Sequence, residues 1–518
     1  MKTGFALFRG ERASHSSAIG ICLRGGIASS RLFGEDEPAP VKSSPMAWRW
    51  VAVVFFLVTG CATLPKADRD LFAAIEADDA AEVGRLLASG AKVNVPHDGY
   101  FDGLPPLGWA SAHGSTKVIE SLIARGANVN GADKHGTTAL HVAAYNQQPA
   151  AVALLLGHGA DVNARNELGW TPLHKAMEQL AFAPATKTPS EAEGAKVVGI
   201  VEALFTSGAR VDVPGAVDKP IHLAALTGQK TLVQMLINKG ADIDAKGSDG
   251  MTPLYQAARK DATDVATLLI ARGADVNART KSRKTPLMIS AEEGNAQVAK
   301  VLLEHRAEVD ARDKNGRSAL VWACWALMAR YTVEASTPGA RYMRAEVLQG
   351  LSAKDAAAEL TKTRESLGRL KGQFGEVAQL LVEAGADPNI ATPAFTPLGA
   401  AAHVGDQLLA EALIAHGAKI DDTSTGESAL HAAIAERHGE LAALIIDKGA
   451  NVNARNMSQF TPLHFLAVNL HDRKLAELLI RHGADVNAKD QAGHTPLEAA
   501  TRARNDEVAD VLRRHGAR

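Results

Sequence analysis

The chain has 518 residues, a formal net charge of −2 and a pI of about 6.8, so it carries no global field to hold nucleic acid or an anionic membrane surface. It is 46% hydrophobic but only 5% aromatic, and it holds three cysteines, Cys22, Cys61 and Cys324. Loss of the first with a leader and modification of the second leave one thiol, so no internal disulfide forms even in an oxidising compartment. Stability then has to come from packing.

Residues 1–45 mix charges of both signs, among them Arg9, Glu11, Arg12, Arg31, Glu35 and Asp36. That is too long and too charged for the positive leader of an export signal, whereas Met46-Ala47-Trp48-Arg49 makes a compact one. Residues 1–45 are therefore expected to be a leader that is not translated or is absent from the mature protein. An organellar transit peptide is the rival reading. Residues 50–64 carry no charge over 15 positions, short of the ~20 apolar residues that span a bilayer but close to the ~7 to 15 of a secretory signal. Residues 46–60 thus read as a signal peptide. Their end, Leu57-Val58-Thr59-Gly60-Cys61, resembles the lipobox of bacterial lipoproteins, where small residues precede a cysteine that is lipidated and becomes the new N-terminus. The resemblance implies lipidation of Cys61, with residues 61–67 as the lipidated N-terminus and a short linker. Ala62, where an aspartate resembles an inner-membrane retention signal, favours the periplasmic side of the outer membrane. A signal-anchored or cytoplasmic chain is the alternative, with Cys61 an ordinary apolar residue.

Residue 68 opens a repetitive array that runs to 518. Aligned on one proline position, it gives Pro106, Ala139, Pro172, Pro220, Pro253, Pro286, Ala319, Pro397, Ala429, Pro462 and Pro496, mostly 33 residues apart. In the unit that begins at Gly250, Thr252 and Pro253 suit the cap and first turn of a helix, and the small pair Ala257-Ala258 lets neighbouring helices approach. Val265, Leu268, Leu269 and Ile270 mark a second helix that ends at Gly273, and Ala274-Asp275-Val276-Asn277 leads into a turn.

This period, with its Thr-Pro-Leu-His-x-Ala core, resembles the ankyrin repeat. The resemblance implies an all-α solenoid of about twelve units, each a helix-turn-helix with a β-turn finger. A degenerate unit with Leu71, Phe72, Ala73 and Ala74 caps one end, and Arg502, Arg504, Arg513 and Arg514 make the other end polar. Steps of 48 and 78 residues mark insertions near 181–196 and 328–374, both between the two helices of their unit. In the longer one Ser352-Ala353-Lys354-Asp355 resembles an N-cap box, and Leu360, Leu367 and Leu370 follow at helical spacing, so it is expected to lengthen the second helix or add one. The two insertion-bearing units are the expected weak points in an unfolding that proceeds in more than one step.

No chemistry stands out. His141, His174, His222, His431 and His464 share the fourth position of the repeat tetrapeptide, which implies an architectural role, and the Asp and Asn residues of the fingers meet the needs of turns before those of calcium. The array contains no zinc-protease helix, Cys-x-x-Cys pair, nucleophile elbow or phosphate-binding loop. No catalytic residue, metal site, cofactor or small-molecule substrate is expected. An enzyme built on the 328–374 insertion has only Glu346, Asp355, Glu359 and Glu365 to draw on, with no nucleophile.

Recognition is expected on the concave and finger surface that the resemblance implies. The residues after the alanine pair vary there, among them Tyr145, Arg259 and Lys260, and they alternate in sign, which suits a protein partner and not nucleic acid. Aromatics sharpen the expectation: Tyr100 and Phe101 in an enlarged first finger, and Trp170, Phe395 and Phe460 just before the repeat threonine. The chain reads as a lipid-anchored scaffold of the cell envelope that binds another protein. A periplasmic immunity protein that neutralises a toxic effector is the alternative.

Overall fold

The computed structural model describes residues 64–97, 103–183, 190–212, 216, 218–335 and 353–518. The signal segment, Cys61, Tyr100 and Phe101 lie outside them. Twenty-four α-helices among the described residues pair into twelve units, from Lys66–Glu76 with Ala80–Ala88 to Pro496–Arg502 with Asp506–Arg514. No extended strand occurs among these residues, and one antiparallel bridge, Ala132 to Thr138, closes a finger. The first helix of each unit packs on the first helices of its neighbours, and second helices pack on second helices, giving the two layers of an ankyrin-type solenoid.

Local chemistry explains each pair. In the helix Pro253–Arg259, the Thr252 hydroxyl accepts from the Tyr255 N–H at 3.2 Å and Pro253 occupies the first turn, where its missing N–H costs nothing. Leu254, Ala257 and Ala258 are fully buried, with Leu254 filling the layer between units and the two alanines keeping adjacent first helices close. In the second helix Thr263–Ala271, Val265, Ala266 and Leu269 are fully buried. Repetition of this pattern fuses the units into one contiguous core that runs along the array.

Both insertions fall between the helices of their units and lengthen them. The fourth unit pairs Pro172–Ala181 with Glu191–Thr206, whose start is fixed by a reciprocal cap between Ser190 and Glu193. The eighth unit pairs Ala319–Ala335 with the 31-residue helix Ala353–Glu383, so its first helix grows as well as its second. Residues 336–352 and 184–189 are not among those described. The long helix is bound to its neighbours. Phe374 is fully buried beneath Gly294, whose φ of +77° and lack of a side chain let the ring approach: a Cβ there would stand 2.9 Å from Cε1. Gln373 donates from Nε2 to the Glu293 carbonyl of the preceding unit at 3.1 Å, and Lys371 donates from Nζ to the Gly405 carbonyl of the following unit at 3.1 Å.

Candidate interaction surface

Two ladders hold the fingers in register. In the first, each repeat histidine joins its own helix start to the next finger. The Thr138 N–H donates to His141 Nδ1 at 3.2 Å, which leaves the proton on Nε2 to be donated to the Trp170 carbonyl at 3.0 Å. His174 reaches the Asp218 carbonyl, His222 the Ala245 carbonyl, His431 the Phe460 carbonyl and His464 the His494 carbonyl in the same way. Burial pushes the His141 and His174 imidazoles down to about 4, and it also lowers His431 and His464. The His141, His174, His431 and His464 rings are neutral bolts between units.

The second ladder uses the asparagine that closes each Gly-Ala-Asp-Val-Asn segment. Asn163 accepts from the Arg210 N–H at 2.9 Å and donates from Nδ2 to the Gly208 carbonyl at 3.1 Å, bridging directly across the first insertion. Asn130, Asn389 and Asn453 make equivalent two-way contacts. Turn chemistry was the expected reason for these residues, but their side chains also reach the next unit. The clue in the sequence was that Asn recurs after Val although Asp would serve a turn equally well.

On this rigid frame the residue six places after the repeat proline varies in chemistry, giving Tyr145, Glu178, Arg259, Glu292, Trp325 and His403. Their charges are cross-paired. Lys175 binds Glu178 at 2.7 Å and stands 5.4 Å from the ring centres of both Tyr145 and Trp170. Lys284 binds Glu292 at 2.5 Å, Arg330 binds Glu293 at 3.1 Å, and His403 faces Glu436 at 3.5 Å.

The expected contact residues separate here. Tyr145 is 38% exposed, Arg259 is half-buried, and Lys260 is exposed at its helix end, with burial of its ammonium and the neighbouring Arg259 lowering its pKa. Phe460 is half-buried, packed edge-on to Phe465 at 6.0 Å. Trp170 and Phe395 need correction: at 8% and 6% exposed they belong to the core. The position before the repeat threonine turns inward beneath the finger, and Trp170 stacks on His174 at 5.8 Å. These two rings have almost no surface to offer a partner. Trp325 was missed. It is 39% exposed at the repeat position of Tyr145, but its unit has Ala323-Cys324 in place of the alanine pair that precedes Tyr145.

Among the described residues no three His, Cys, Asp or Glu side chains gather where they could hold a metal ion, and no helix is long and apolar enough to cross a membrane. Cys324, the one cysteine described, is buried, and its thiol is pushed up to about 12 by burial and by the nearby Asp406.

A family model described as ankyrin repeats (3 copies) matches residues 71–166, 192–280, 276–334, 369–456 and 456–518. An ankyrin repeat protein of Rickettsia bellii is 39% identical over 51 residues, which is 10% of this chain and 21% of that protein, so the match spans about a fifth of the relative's length. Among solved structures, the ankyrin repeat domain of human ASB11 aligns at 29% identity over 42% of this chain and 90% of that one, with a TM-score of 0.37.

Proposed function

The chain belongs to the ankyrin-repeat family, whose arrays are protein-interaction scaffolds and typically non-enzymatic, and from that premise we infer that it is a lipid-anchored scaffold of the cell envelope. Cys61 is the acylated residue, the outer membrane holds the anchor, and the array projects into the periplasm to bind another protein. The observation that carries the anchor is the uncharged run at 50–64 with small residues immediately before Cys61 and a compact Met46-Ala47-Trp48-Arg49 start. Burying acyl chains holds a protein to a bilayer by about 0.8 kcal/mol per methylene, so two chains suffice without any spanning helix.

The observation that carries the binding role is the contrast between a repeated core and a varied rim. Leu140, Leu173 and Leu254 are interchangeable and buried, whereas Tyr145, Glu178 and Arg259 hold one repeat position with three chemistries. Cys61→Ser is expected to move the protein from the membrane pellet to the soluble fraction. A mutant that still sediments and resists high salt returns the segment to a signal anchor. Crosslinking the native protein in its envelope, with Tyr145→Ala as the comparison, tests the rim: the crosslinked partner should be lost with the ring.

A further inference from the structure

We propose that the two adjacent fingertips at 279–284 and 312–317 form a docking site for an acidic polypeptide segment. This names a partner chemistry for the scaffold and rests on that reading. Together the two tips carry seven Lys and Arg residues against one Asp. That carboxylate is already used: Asp313 is buried and accepts from the N–H groups of Asn315 and Arg317 at 2.8 and 2.9 Å and from Trp322 Nε1 at 3.2 Å. Arg279 pairs with Glu308 and Lys284 with Glu292. Lys281, Arg283 and Lys314 remain exposed, with no carboxylate partner among the described residues. By contrast, residues 131–137 hold one acid, Asp133, and one fixed base, Lys134, while residues 421–427 are acidic through Asp421, Asp422 and Glu427.

Two further observations show that the basic tips are held in place. The Lys281 N–H donates to the Asp249 carbonyl at 2.7 Å, and the Lys314 N–H donates to the Ser282 carbonyl at 3.0 Å, so three successive fingers are joined edge to edge and their cations share a fixed register. Arg283 has a φ of +63° at the finger position where Gly136, Gly169, Gly250, Gly316, Gly426 and Gly493 stand, as does Gln459. A side chain there costs on the order of 1 kcal/mol against glycine.

An apolar landing adjoins the charge. Trp322 lies beneath Lys284 and Arg317, with the cations 3.5 and 4.9 Å from its ring centre, and the exposed Trp325 meets it edge-on at 5.5 Å. A segment of Glu and Asp with one apolar side chain matches this arrangement: carboxylates meet the tips and the apolar group lies on Trp325. Nucleic acid matches it less well, since it needs a track of one sign and Glu292, Glu293 and Glu308 interrupt one here.

The test is fluorescence anisotropy at low ionic strength with a labelled dodecapeptide of Glu and Asp around a central Leu. Combined Lys281→Glu, Arg283→Glu and Lys314→Glu should weaken its binding by about tenfold or more, while Lys448→Glu with Arg481→Glu, exposed cations elsewhere, should change it less than about twofold. Arg283→Gly guards against misfolding: it should raise the melting temperature and weaken the peptide together, opposite signs that a structural role cannot produce. The proposal is overturned if the triple variant or Arg283→Gly leaves the anisotropy curve unmoved, if the control pair weakens binding as much as the triple variant does, or if an oligodeoxynucleotide of equal charge binds the wild type more tightly than the peptide. Such a failure would leave the scaffold reading intact as long as the envelope crosslink still depends on Tyr145.

Discussion

The fourth and eighth units both absorb an insertion between their helices, yet they attach to the array by different means. The fourth keeps every device of an ordinary repeat: His174 bolts it to the next finger, and Asn163 bridges the insertion with both an acceptor and a donor. The eighth has lost them. Val321 stands at the histidine position, and Asp310 replaces the asparagine, so the bridge to the Asp387 N–H at 3.1 Å has an acceptor and no amide donor. What it gains is the long helix, with Phe374 sealed under Gly294 and the arms of Gln373 and Lys371 extended one unit back and one unit forward. An insertion is tolerated in a solenoid either by leaving the inter-unit bonds untouched or by supplying new ones from the inserted segment.

Removing the new attachment should break the eighth unit first. Phe374→Ala is expected to cost about 3 to 5 kcal/mol, because it empties a site closed by Gly294 and by Arg330, whose guanidinium lies 4.7 Å from the ring centre. Urea unfolding of a chain with Trp48, Trp50, Trp109 and Trp170 replaced by Phe, followed by tryptophan fluorescence and by circular dichroism, should then give transitions that no longer coincide, since Trp322 and Trp325 report on this unit. Leu204→Ala in the fourth unit should cost roughly 3 kcal/mol and leave the tryptophan signal of the eighth unit unchanged. Coincident transitions in both variants would mean that the array unfolds as one body and that the contrast between the units has no energetic content.

Acid should separate the regions next. His141 and His174 titrate near 4 when folded against about 6.5 when unfolded, so the unfolded chain binds protons first as the pH falls. Stability is therefore complete above about pH 6.5 and is lost between there and pH 4, by roughly 3 kcal/mol for each ring. Units six to nine carry Tyr255, Met288, Val321 and Gly399 at that position and lack this sensitivity. Hydrogen exchange at pH 5 should show protection falling around residues 138–174 while the eighth unit holds. Equal loss in both would show that other groups govern the acid response.

The smallest effect is an exchange of bridge chemistry. Asn163→Asp removes the donor to Gly208 and should lower the melting temperature by an amount equivalent to about 1 kcal/mol, whereas Asp310→Asn supplies a donor toward Gly385 and should raise it by up to the same amount. Changes of the same sign in the two variants would show that the surroundings of each bridge, and not the missing donor, set its strength.

The period of the sequence made the fold legible because each unit repeats the same local solution: a threonine cap, a proline in the first turn, an alanine pair and a glycine exit. The contact surface was less legible, since periodicity reports which positions share an environment but not whether that environment faces in or out. Trp170 and Phe395 illustrate this, being spare by pattern and buried in fact. Trp325 shows the reverse, an exposed ring in a unit without the alanine pair that precedes Tyr145.

The two ladders are polar along the chain: each His Nε2 and each bridging Asn reaches toward the unit that follows, while Asn295 and Asn505 reach back to carbonyls of the unit before. A unit at the growing end therefore docks with its own backward arm and fills the forward arms its predecessor already presents. Assembly in this order coincides with the order of synthesis, and with passage of an unfolded chain through a pore amino end first. Each completed unit is then the template on which the next one closes.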